Sequence, residues 1–301
     1  MVASRGRSPT GRGRALKPSP VRVRIPPPPR QGTTRPFPGV PHEGVEVAIL
    51  GPVTVRGTAE PFRRAAALEL VVYLAFHRGG VRHADWALAI WPDRPVALPT
   101  VHSTASDARR ALGRTPDGTP HLPRGCGLRL GDSVITDVDR FASLTASDHP
   151  DRLLEAMQLI RGPLFGGLHR ADWAVFDGTQ SRLESLVVRT ALRGADACMG
   201  RGLGNEAAWM VRQALRVSPY DERLYRALLR ATAAQGNRVG LRSTMAELLT
   251  LAGEADGGHA ESPLAGRSDS VRLDCLHPET TALYRGLLEG SPVAEGRPAR
   301  L

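Results

Sequence analysis

Beyond Asp151 every periodic run of apolar residues has the three-to-four-residue spacing of a helix, and none alternates as a strand would. Helices are expected over 151–161, 171 to about 200, 205–217, 221–235, 238–252 and 278–289. Two breaks share a composition, Gly204-Asn205 and Gly236-Asn237, and stand 32 positions apart. Between them, Pro219 falls in a connection and Asp221 is placed to cap the next helix. A chain half built this way must bury its apolar stripes helix against helix.

The stretch before it is patterned differently. VEVAILGPVTVRG (45–57) alternates apolar and polar residues on both sides of Gly51-Pro52, which predicts two short antiparallel strands. Three helices are expected next. Phe62 to Phe76 puts Ala66, Leu70, Tyr73 and Leu74 on one face, and Ala84 to Trp91 puts Leu88 beside Trp91 before Pro92 stops it. The third runs from Pro99 to Leu112 with Val101, Ala105, Ala108 and Leu112 inward, and Gly113 follows as its C-terminal residue. GLRL (127–130), Gly131-Asp132 and SVITD (133–137) then read as a second hairpin.

With 301 residues the chain has room for two domains. The expected division is a basic Pro/Arg-rich tail over 1–44, read as disordered; a first domain over 45–145; a helical domain over 150–292; and a flexible C-terminus over 293–301. The formal net charge is +10, and nine of the basic side chains lie in the tail, from Arg5 to Arg35, against Glu43 alone. Such a tail is suited to touching nucleic acid or an acidic surface. An inert linker or an over-extended start is the alternative reading. Residues 253–275, rich in Gly, Ser and Asp, are expected as a surface loop.

Several functions are excluded by composition. Lys17 is the only lysine among 40 basic residues, so no folded-region lysine serves a phosphate loop or a Schiff base. Cys126, Cys198 and Cys275 are odd in number and widely spaced, which argues against a disulfide framework or a zinc site and fits a reducing cytosol. The longest apolar run, LELVVYLAF, is too short to span a bilayer, so no membrane is expected as a partner. His102, Ser103 and Asp107 form the only catalytic-looking cluster. Neighbouring helical residues point about 100° apart, so His102 cannot serve Ser103 as its base. No enzyme activity and no cofactor are expected.

Taken in order, VAILGPVTVRG, Phe62-Arg63-Arg64, AIWPD (89–93), ARRALG (108–113) and TDVDRF (136–141) resemble the response-regulator type winged helix of the Streptomyces antibiotic regulatory proteins. IRGPLFGGLHRADWAVFDGTQSRLESL (160–186), QALRVSPYDERLYRALLRA (213–231) and HPETTALYRGLL (277–288) resemble the bacterial transcriptional activator domain that follows in that family. The 32-residue spacing also resembles tetratricopeptide hairpins, whose period is about 34. The resemblance implies a mainly α protein: an N-terminal winged helix-turn-helix of α+β type, then an all-α tetratricopeptide-like helical repeat domain. It implies a cytoplasmic transcriptional regulator that binds double-stranded DNA, meets RNA polymerase through the loop from Trp91 to Leu98, and forms a homodimer or takes a protein partner through the helical domain.

In that family the third helix reads the groove. The outer arc carries the candidate DNA contacts Thr100, His102, Ser103, Ser106, Asp107, Arg109, Arg110 and Arg114, and Arg124 and Arg129 lie on the second hairpin as its wing. Leu98, His102 and Asp107 replace arginines of the family pattern. Asp107 repels phosphate, or accepts from a cytosine amine. In these departures the sequence is similar to the divergent form found in actinobacterial proteins with a peptidoglycan-binding LysM segment. An interaction module of the same fold that has lost DNA binding is the second reading. Trp91 is expected in the core, as are Trp173, Trp209, Tyr220 and Tyr225.

Overall fold

A computed structural model describes residues 44–125, 127–255, 273 and 275–290. The expectations for the tail up to Glu43, for Cys126 and for the C-terminus from 293 lie outside the described residues. So does most of the expected 253–275 loop, whose first residues instead continue a helix.

Strands β1 (Val45–Ala48) and β2 (Thr54–Arg56) pair antiparallel, with Val47 opposite Val55, as the alternation on either side of Gly51-Pro52 predicts. Helices α1 (Ala65–Phe76), α2 (His83–Ile90) and α3 (Leu98–Leu112) follow. The second hairpin is not formed. Leu128 instead makes one antiparallel bridge with Val81, and β3 (Val134–Thr136) adds to the other edge of β1 in parallel, Val47 facing Thr136. The sheet order is β2-β1-β3. The physical reason lies one residue on. Thr136 accepts from the Asp139 backbone N–H and Asp139 accepts from that of Thr136, a reciprocal cap that turns the chain into α4 (Asp137–Thr145), so TDVDRF opens a helix rather than closing a hairpin.

The remainder is helical as expected: α5 (Pro150–Gln158), α6 (Asp172–Phe176), α7 (Thr179–Met199), α8 (Gly204–Leu215), α9 (Glu222–Ala234), α10 (Arg238–Ala255) and α11 (Pro278–Glu289). The long helix expected over 171–200 is interrupted at Gly178, whose φ of 74° is costly for any residue with a Cβ. Asp221 caps α9 by accepting from the Arg223 N–H. From α7 to α10 each helix packs on the next, and α11 returns to α9. The fold is mainly α, a small α+β part leading into an all-α part.

Two apolar cores form. One joins β1, α1, α2 and α3 around Leu70, Leu74, Trp86 and Ile90; the other runs through α4, α5 and α7 to α11 around Phe141, Met157, Trp209 and Tyr225. The boundary is not where the helices become continuous, because Phe165, Trp173, Ala174 and Leu183 belong to the first core. Trp173 meets Tyr73 edge-on at 4.9 Å and Phe76 at 5.9 Å. Two buried carboxylates fasten the parts together. Asp137 accepts from the N–H groups of Ile49 and Leu50 at 2.7 and 3.0 Å and from Arg161 at 3.2 Å. Glu69 on α1 accepts from the N–H of His169 and from Arg170 at 3.2 Å. Burial pushes the Asp137 carboxyl up in pKa against the pull of those donors. Among the described residues no helix is long and apolar enough to cross a membrane.

Candidate nucleic-acid interface

Helix α3 begins where Pro99 tolerates the lack of a backbone donor and ends at Gly113, whose φ is 74°. A Cβ at Gly113 would lie 2.6 Å from that of Ala59, so the β2–α1 loop closes directly on the end of α3. The N–H groups of Ala59 and Glu60 both reach the Ala111 carbonyl. Val101, Ala105, Ala108 and Leu112 face the core, as the periodicity predicts.

Of the expected outer arc, His102, Ser106, Arg110 and Arg114 are exposed, while Thr100, Ser103 and Arg109 are half-buried. Asp107 corrects the expectation. It is only 6% exposed, with one carboxylate oxygen 3.5 Å from Arg110 and the other buried without a partner. A helical wheel drawn from the apolar stripe puts it outward; the β2–α1 loop covers that flank of α3.

The cations that frame the exposed face come from four places. Arg64, just before α1, donates to Ser103 Oγ at 2.6 Å, and Ser103 in turn donates to the Thr100 carbonyl. On the other flank His83 of α2 lies 5.6 Å from His102, ring to ring. Burial, the His102 charge and the Arg109 charge together hold His83 below its ordinary pKa. Arg109 is lowered by burial and then by the positive charge of Arg124, and its Nε is buried without a partner. An arginine stays protonated under such pressure, so Arg109 and Arg124 concentrate positive potential, and among the described residues neither forms an ion pair with a carboxylate. Arg114 is partly committed, donating to the Gly118 carbonyl at 2.6 Å. Arg129 stands apart beside Gly80, next to the Val81–Leu128 bridge. The structure thus brings Arg109, Arg110 and Arg124 to one side of α3 with His102 and Ser106. Arg64 and His83 were not singled out in the sequence; the Arg63-Arg64 pair was visible only as a motif.

The other expectations divide. Trp91 is buried, packed 5.9 Å from Trp86, and Trp173, Trp209 and Tyr225 are buried too. Tyr220 is not: it is exposed in the α8–α9 connection. Leu88, expected on the inner face of α2, is exposed, and Trp86 takes the core position instead. Between the α2–α3 loop and the segment before α6 lies a cavity of about 320 Å³ lined by Trp91, Pro92, Asp93, Arg94, His169 and Arg170.

Comparison with known proteins follows the same lines. Residues 137–240 match the family model of the bacterial transcriptional activator domain. A search of the curated proteins finds no match. Among solved structures, the chain is similar to Mycobacterium tuberculosis EmbR in complex with a low-affinity phosphopeptide, with a TM-score of 0.56 and 21% identity. That match covers 83% of this chain and 66% of EmbR, so the chain spans just under two thirds of its neighbour's length. At that identity the likeness is one of fold. From Asp137 to Gly240 the sequence is therefore similar to a bacterial transcriptional activator domain, carried on an EmbR-like fold.

Proposed function

We propose that the chain is a DNA-binding transcriptional regulator of the antibiotic-regulatory-protein type, in which α3 enters the major groove. The observation that carries this reading is the face of α3 itself. His102, Ser106 and Arg110 are exposed there, and Arg109 and Arg124 gather beside them without a carboxylate ion-pair partner among the described residues. Similarity to a transcriptional activator domain in the following segment supports it.

Arg110, Arg109, Arg124 and Arg64 contact phosphates, and His102 and Ser106 face base edges. Arg129 and Arg114 contribute at the periphery. With so few phosphate contacts a single protomer binds weakly at physiological salt, so repeated half-sites and a dimer formed through the helical domain are required. The α2–α3 loop, exposed from Pro92 to Pro95 beside the cavity, is the surface offered to RNA polymerase. The helical pairs from α7 to α10 act as tetratricopeptide-like repeats.

One observation favours the second reading, an interaction module without DNA binding: Asp107 takes part of Arg110's charge. A mobility-shift assay on genomic fragments separates the two. Wild type should retard specific fragments, and Arg110→Ala with Arg124→Ala should lose that retardation at unchanged thermal stability. Equal retardation by wild type and variant would leave α3 without its assigned role.

A further inference from the structure

His102, Ser106, Arg109 and Arg110 stand at i, i+4, i+7 and i+8 of α3, so they form a single stripe along the helix. His102 is exposed, and among the described residues no hydrogen bond or ion pair fixes its ring. What does touch it is another imidazole. His83, the first residue of α2, lies 5.6 Å away between ring centroids with the two planes at 78°, the edge-to-face arrangement that aromatic rings favour.

His83 can act as a support because its backbone is fixed on both sides. Just before it, buried Val81 exchanges two hydrogen bonds with Leu128, at 2.9 and 2.8 Å. Just after it, the Arg82 carbonyl accepts from the N–H groups of Asp85 and Trp86, and the Arg82 guanidinium holds the Asp85 carboxylate at 2.9 and 3.0 Å. The His83 ring is half-buried and lies 6.3 Å from that of Trp86, which is wholly buried. A ring tied to the core thus stands against one that is otherwise free. Burial, more than the charges of His102 and Arg109, holds His83 below its ordinary pKa, so at neutral pH it is uncharged and does not repel its neighbour.

We propose that His83 is the positioning residue that fixes His102 for reading a guanine in the major groove, an inference that rests on α3 being the helix that enters that groove. A side chain ordered only on binding costs affinity, and a ring already held in place avoids that cost. A fixed ring also aims one N–H at one place, which is what discrimination between bases requires. Guanine is the base that suits it. Its N7 and O6 stand side by side as acceptors, whereas adenine sets an amino donor beside its N7. Arg109, on the same stripe and close enough to His83 to act on its charge, adds positive potential that favours the base with two acceptors. His83 touches no base in this arrangement and acts through His102.

The test titrates the full chain at pH 7.5 against a specifically bound genomic fragment and against a panel in which each base pair of it is changed in turn. Every preference is a ratio within one protein, so changes in general affinity cancel. Wild type should prefer guanine at one base pair by about five- to tenfold, and His102→Ala should lose that preference. His83→Ala should weaken it about two- to fivefold, and His83→Phe, which keeps a ring against His102 without its nitrogens, should restore most of it. The double variant should lose no more than His102→Ala alone, because His83 acts only through His102. His83→Ala matching wild type, losses that add in the double variant, or His83→Phe behaving as His83→Ala would each overturn the inference while the lost preference of His102→Ala left α3 as the reading helix. A preference untouched by His102→Ala, or no specifically bound fragment at all, would instead remove the reading on which the inference rests, and the inference with it.

Discussion

Replacing Asp137 with alanine should loosen the junction between the two cores more than any other single change of a polar residue. Its carboxylate accepts from the N–H groups of Ile49 and Leu50, both buried to within 1% of complete, and from Arg161. Alanine leaves two buried backbone donors without partners, at about 1–3 kcal/mol each. Arg161 keeps its bond to the Pro52 carbonyl at 2.7 Å, which limits its share of the loss. The sum is about 2–6 kcal/mol, a large part of the stability of an ordinary domain. Asparagine is the control: its oxygen satisfies one N–H, but its amide turns a donor toward the other, so its cost should fall between wild type and alanine. Equilibrium unfolding in urea reads the result as a midpoint lowered by about 1–2 M at an unchanged slope. A loss below about 1 kcal/mol for Asp137→Ala would mean that water or a backbone shift satisfies both donors, and the view of Asp137 as a fastener would be wrong.

Three other outcomes are expected. Gly113→Ala meets both a φ of 74° and the Ala59 Cβ, so it should cost about 1–3 kcal/mol and lower the melting temperature by several degrees; no change would mean the β2–α1 loop yields freely. Asp107→Asn removes the charge that holds Arg110 and should tighten DNA binding about two- to fivefold, whereas Asp107→Arg should destabilise the fold because that position is buried; tighter binding by the arginine variant at full stability would refute the packing. His83 is held below its ordinary pKa, so its contribution to stability is complete above the unfolded value near 6.5 and is lost as pH falls from there through the lower folded value. A phosphate nearby reverses the bias, so DNA affinity should rise as pH falls from 7.5 to 6, by at most about tenfold per unit, and titrations of His83→Gln should lack that rise.

Much of this was legible in the sequence, and the failures share a cause. The apolar stripes of α1 and α3, the Asp221 cap and the first hairpin all follow from local period and turn chemistry. Asp107, Leu88 and Tyr220 were misplaced because their exposure depends on which distant segment covers a flank. The β2–α1 loop covers Asp107; α6 lies beside α2, and Trp86 rather than Leu88 points inward. The missed α4 did carry a local signal, the Thr136–Asp139 capping pair, but an apolar alternation through Val134 and Ile135 outweighed it. Arg64 and His83 joined the site only through tertiary contact, which no spacing along the chain announces.

The role of α3 is tested most directly by the salt dependence of DNA binding. Fluorescence anisotropy on a bound genomic fragment, measured across a series of salt concentrations, gives the slope of log K against log salt for wild type and for Arg109→Ala with Arg110→Ala. Each phosphate contact contributes about 0.9 to that slope, so the double variant should flatten it by about 1.8 while unfolding at the same denaturant concentration. An unchanged slope would contradict the assignment of α3 as the helix that meets DNA.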